Sequence, residues 1–73
     1  MIAELDRVVL TTDLSEHGLK AGDIGTVVLV HREGRGYEVE FVTLAGQTVA
    51  VVSLEAEQVR AIGQREIAQA RAM

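Results

Sequence analysis

No cysteine occurs in the 73 residues, which excludes disulfides and thiolate metal sites and fits a reducing compartment, the cytoplasm. Aromatic residues are almost as scarce. Tyr37 and Phe41 are the only two, too few for the exposed stacking platforms that grip single-stranded nucleic acids. Positive charge is also thin: Lys20 is the single lysine beside six arginines, and the net charge of -4 makes the surface repel phosphate on average. Long apolar runs are missing, since Val49 to Val52 is a few residues long against the roughly 20 needed to cross a bilayer. The start, Met1 to Arg7, carries Glu4 and Asp6 before its first apolar cluster and lacks the basic segment and long apolar stretch of a secretory signal. The expectation from these absences is a soluble cytoplasmic domain.

At this length the chain is one domain, and it buries only about 60% of its unfolded surface on folding. With disulfides and thiolate metal sites excluded, a partner chain is the expected source of extra stability.

What is present is a succession of short β segments. Leu5 to Thr12 is rich in β-branched residues and reads as a first strand, and Asp13 to Gly22 reads as an irregular loop. Gly22 and Gly25 flank Asp23 and Ile24, where they are expected to let the backbone turn sharply into a second strand, Ile24 to Val30, with Asp23 capping the turn. Glu33-Gly34-Arg35-Gly36 supplies glycines for a tight hairpin. Tyr37-Glu38-Val39-Glu40-Phe41 alternates apolar and acidic residues without exception, the pattern of a strand with one buried and one wet face.

Leu44-Ala45-Gly46 fits a three-residue turn with Gly46 left-handed, which sets Thr43 against Gln47 and Phe41 against Val49. A two-residue turn would instead oppose Phe41 to Ala50, and the all-apolar run Val49 to Val52 admits either register. Leu54 to Val59 suggests a single helical turn followed by a short last strand ending at Ile62. Five short strands with brief connections close most economically into a small, partly open barrel. The predicted organisation is therefore a barrel over 1–62 and a C-terminal tail over 63–73, whose Gln64 to Met73 consists of good helix formers with Ile67 and Ala70 on one stripe.

The Gly22-Asp23-Ile24-Gly25-Thr26-Val27 stretch resembles the way the chain enters a strand in SH3-like and KOW-type barrels. With Leu5 to Val28 before Tyr37 to Phe41, the chain is similar over roughly Leu5 to Ile62 to the bacterial domain-of-unknown-function family four-nine-two-six. That resemblance implies an SH3-like barrel in a small stand-alone bacterial protein, without established activity and often set among mobile elements and toxin–antitoxin-like gene pairs. A small plasmid-borne dihydrofolate reductase is also an SH3-like barrel, but its Val-Gln-Ile-Tyr run is missing. Gln47-Thr48-Val49-Ala50 on a comparable strand lacks the tyrosine.

Candidate chemistry is sparse. Asp13, Glu16 and His17 share a loop, but one imidazole and two flexible carboxylates make a poor metal site. His31 has no hydroxyl or carboxylate at triad spacing, and Glu38 and Glu40 on an outer barrel face lack the pocket that a catalytic carboxylate needs. Arg32 and Arg35 flank the Gly34 hairpin and are the candidate phosphate or RNA contacts of a KOW-like alternative.

The surplus lies in apolar residues. The second and fourth strands are apolar on both faces, and a barrel wall needs only one face buried. Val27, Val28 and Val52, with Ile67 of the tail, are the candidate partner interface. The expectation is a non-enzymatic protein-interaction module without cofactor, either self-associating, with a dimer favoured, or the partner or antitoxin-like component of a neighbouring gene product. Nucleic acid and membrane are disfavoured.

Overall fold

A computed structural model describes all residues, Met1 to Met73. Five antiparallel strands form one sheet: β1 (Arg7–Leu10), β2 (Ile24–His31), β3 (Gly36–Val42), β4 (Thr48–Glu55) and β5 (Val59–Ala61), in the spatial order β4-β3-β2-β1-β5. The sheet coils into a partly open, SH3-like barrel whose two edge strands, β4 and β5, do not pair with each other. The only helical pieces are 3-10 turns at Ser15–His17 and Ala56–Gln58.

Alternation along the strands sorts the side chains as expected. Tyr37, Val39 and Phe41 point inward with Val8, Leu10, Val27, Leu54 and Val59 to form the core. Leu14 and Leu19 pair across the β1–β2 loop and close one end of this core. The 3-10 turn before β5 is tied to β1 by Thr11, whose N–H donates to Gln58 O and whose Oγ1 donates to Glu57 O, both at 2.8 Å.

The β3–β4 turn is the three-residue one, with Gly46 at φ 91° and Thr43 N–H donating to Gln47 O at 2.7 Å. The register beyond it is nevertheless the one a two-residue turn would give: Phe41 faces Ala50 and Val39 faces Val52. A bulge reconciles the two, because Val42 still faces Thr48 and Val49 is the extra residue. A second bulge at Val28 lies in β2, between the Val27–Val39 and Leu29–Glu38 pairs.

These bulges correct the expected interface. Val27 lies fully inside the core, and Val52 packs inward opposite Val39. The apolar residues left on the outer side of β2–β4 include Val28, Leu29, Val42 and Val51, each 41–55% exposed.

The glycines of the β1–β2 turn also differ from expectation. Gly22 takes φ 97°, whereas Gly25 is not left-handed and lies buried in β2. Only glycine fits there, since a Cβ would sit 2.5 Å from Val39 Cγ1 and 2.9 Å from Phe41 Cε1. At the β2–β3 tip the turn starts earlier than the glycines suggest: His31 O accepts from Gly34 N–H and Arg35 N–H, and Arg32 and Glu33 themselves take positive φ.

The tail is not helical. Ile62 onward turns back at Gly63–Glu66 and runs as an irregular strap to the β1–β2 loop. Ten residues without a packed apolar stripe do not sustain a helix, and Arg71 pairs with Asp23 across the barrel instead.

Candidate interaction surface

Two loops set the walls of a groove beside the barrel. The first is the β1–β2 loop, shaped by two carboxylates: Asp13 Oδ1 accepts from Ala21 N–H, and Asp23 Oδ2 accepts from Lys20 N–H, both at 2.9 Å. The second is the β3–β4 hairpin with Val42, Leu44 and Val49. Ile24 lies between them, 40% exposed.

The strap occupies this groove. Arg71 makes a two-pronged contact with Asp23, Nε to Oδ1 at 2.8 Å and Nη2 to Oδ2 at 2.5 Å, and Nη2 also donates to Gly18 O at 3.0 Å. A guanidinium with both carboxylate oxygens in its fork is the strongest of the charge-assisted arrangements. It holds the Asp23 carboxyl below its ordinary value, helped by the Lys20 N–H, and raises Arg71 in turn. At the other end of the strap, Arg60 grips Glu66 with two 2.7 Å bonds, and Gly63 N–H donates to Glu66 Oε1 at 2.6 Å. The Arg60 guanidinium and that N–H lower the Glu66 carboxyl to about 2. Between strap and barrel a cavity of about 510 Å³ remains, mostly apolar in lining.

A second hollow, about 350 Å³ in volume, opens at the β2–β3 tip beside His31, Arg32, Arg35, Glu38 and Ser53. Its centre is Glu38 Oε2, which meets His31 Nε2 at 2.8 Å and accepts from Ser53 Oγ. The Ser53 hydroxyl and then the imidazole lower the Glu38 carboxyl. In a nucleophilic triad the imidazole stands between hydroxyl and carboxylate. Here the carboxylate is in the middle, so the serine proton has no imidazole to go to.

Arg32 and Arg35 line that hollow, neither in an ion pair, and Glu40 accepts instead from Thr48 Oγ1 at 3.0 Å. Ile67 is 94% exposed on the strap. The sequence-predicted interface is thus divided: Val27 and Val52 inside, Val28 outside, Ile67 on the strap. Asp13, Glu16 and His17 do not converge into a group able to hold a metal ion. The Arg71–Asp23 latch was beyond sequence reasoning, because its partners are 48 residues apart and share no motif. No helix is long and apolar enough to cross a membrane.

Fold and groove together define a small antiparallel β-barrel domain with a strap across its loops. The chain belongs to the family described as Domain of unknown function (DUF4926), whose profile matches residues 4–61. No curated protein and no solved structure matches it.

Proposed function

We propose that this chain is a non-enzymatic protein-interaction module and that its recognition surface is the groove between the β1–β2 loop and the β3–β4 hairpin. One observation carries the reading: an irregular segment ending in Arg71 and Met73 is already seated there, anchored by a fork on Asp23. The chemistry recognised is an arginine placed against a carboxylate, with small or apolar residues on either side to meet Ile24, Val42 and Leu44. A protein partner offers both features. The KOW-like alternative finds less support, because Tyr37 and Phe41 are 5% and 2% exposed and offer no stacking surface.

The test uses the full chain with Arg71→Asp, which leaves the groove free of its own strap. A peptide of residues 64–73 titrated into this variant is expected to shift the amide resonances of Gly18, Asp23, Ile24 and Val42. The same peptide with alanine in place of arginine at position 71 is expected to leave them unmoved. Amides that stay in place up to millimolar peptide would refute the groove as a recognition surface.

A further inference from the structure

Resting on that reading of the groove, we infer that the strap is an exchangeable arm and that the groove's partner in trans is a second copy of this chain. In the pair, each barrel gives its own Arg71 and receives the other's.

The attachment of the strap is the first ground. None of its backbone groups beyond Gly63 bonds to the barrel; the single backbone bond of the segment is Glu66 N–H to Gly63 O at 3.4 Å. Every residue from Ile62 to Met73 is exposed. Two ion pairs hold the strap, the Arg60–Glu66 clamp at its turn and the Arg71–Asp23 latch at its far end, where Arg71 also donates to Gly18 O. Neither end depends on a β-ladder that would have to be dismantled.

Reach is the second. If the clamp opens, residues 62–70 straighten to roughly 30 Å at about 3.3 Å per residue, comparable to the 33 × 29 × 21 Å dimensions of the molecule. That length carries Arg71 to a neighbouring barrel. The exchange is reciprocal and isologous, as a two-fold pair requires: Arg71 of each copy meets Asp23 of the other.

Complementarity is the third. The chain is acidic overall, at -4, so two copies repel at long range. The exchanged contact nevertheless matches a cation to an anion twice. It also brings together the rims of two grooves, where Leu44 is 94%, Met73 67%, Val42 48% and Ile24 40% exposed, and burial of this apolar surface is what the closed monomer leaves unused. The latch contacts are the same in both forms. The balance therefore rests on the clamp and on concentration, because a short tether gives the strap's own groove an effective concentration in the millimolar range. Intact, the clamp favours the closed monomer. Released, it favours the exchanged dimer.

A charge swap tests this. Asp23→Arg and Arg71→Asp chains, each also carrying Glu66→Gln to release the clamp, have a mismatched groove and strap, and each is expected to sediment at the monomer mass of 7.9 kDa. Mixed one to one, each groove finds a complementary strap on the other chain, and the mixture is expected to sediment at twice that mass. Both charge substitutions in one chain that keeps Glu66 and its clamp should restore the closed monomer. A mixture that stays at monomer mass, while the doubly substituted chain protects its strap from protease as the native chain does, overturns exchange and leaves the groove reading standing. If the doubly substituted chain also leaves its strap unprotected, exchange and groove fall together.

Asp23→Arg removes the acceptor of the Lys20 N–H, so a second measurement keeps its native loop. A spin label on Ala72→Cys in an otherwise native chain carrying Glu66→Gln is mixed with isotope-labelled Arg71→Asp chain. Broadening at Gly18 and Asp23 of the labelled chain is expected, and an unbroadened spectrum at millimolar concentration overturns the proposal.

Discussion

Gly25→Ala is the sharpest probe of how the barrel is packed. The added methyl carbon would stand 2.5 Å from Val39 Cγ1, 2.9 Å from Phe41 Cε1 and 3.0 Å from Glu40 O, where carbon atoms settle at about 3.5–4.0 Å. Neither neighbour can retreat easily, since Val39 is 0% and Phe41 2% exposed, and the Glu40 carbonyl belongs to the paired backbone of β3. Overpacking of this kind costs about 1–3 kcal/mol, and three simultaneous overlaps place it near the top of that range. Replacing a strand glycine returns roughly 0.5–1 kcal/mol of backbone entropy. A net loss of about 2 kcal/mol is expected, against a total stability of roughly 4–11 kcal/mol for a domain of this length.

Urea denaturation followed by circular dichroism would register this as a midpoint lowered by about 1–2 M. Val39→Ala in the same chain removes the closest overlap, so the double variant should be more stable than the sum of the single losses predicts. An unchanged or raised midpoint for Gly25→Ala, or strict additivity with Val39→Ala, would refute the packing assigned to this glycine.

Phe41→Ala should cost about 3–5 kcal/mol and Glu40→Ala under about 1 kcal/mol, because one empties the core and the other gives up an outer-face bond to Thr48; equal denaturation midpoints would reverse the assigned faces of β3. Acid should loosen the strap at both ends. Asp23 is held below its ordinary 3.8 by Arg71, and Glu66 is lowered from 4.5 to about 2 by Arg60. The ion pairs therefore contribute fully above the ordinary values and are lost as pH falls through the lowered ones. Carboxyl carbon shifts followed from pH 6 to 2 would show this, and Arg71→Ala should move the Asp23 midpoint upward. RNA titrated at physiological salt should not bind; a micromolar, steeply salt-dependent affinity abolished by Arg32→Ala/Arg35→Ala would favour the KOW-like alternative.

The alternation of Tyr37 to Phe41, the Gly46 turn, the helical turn before β5 and the five-strand barrel are legible in the sequence because each follows from local periodicity and turn chemistry. The family resemblance likewise rests on contiguous residues. The bulges are not legible in this way: Val49 to Val52 is apolar throughout, so no polar residue reports which position is extra, and the same holds for Val27 to Val30. That ambiguity is why Val27 and Val52 read as outward residues and lie inward. Gly25 carries a related lesson. A glycine needed for its missing side chain looks the same in sequence as one needed for its backbone angle, and only the position of Val39 and Phe41 tells them apart. The strap reads as a helix because Gln64 to Met73 has helical propensity, and the pairings that override it, Arg60 with Glu66 and Arg71 with Asp23, combine a nearby contact with a distant one.

The place of β1 between β2 and β5 governs when the barrel can form. The β2–β3–β4 meander joins neighbours in the chain and can assemble from local hairpins, whereas Val8 pairs with Ala61 and Leu10 with Val59 across nearly the whole barrel sequence. Closing so long a loop must precede the contacts that reward it, which makes this pairing the slow, entropically costly step. During synthesis the first strand to emerge must therefore wait for the fifth with one side of its backbone unpaired. Its apolar residues stay exposed to other chains until the Val59–Ala61 segment leaves the ribosome, and the barrel closes only after its last strand has been made.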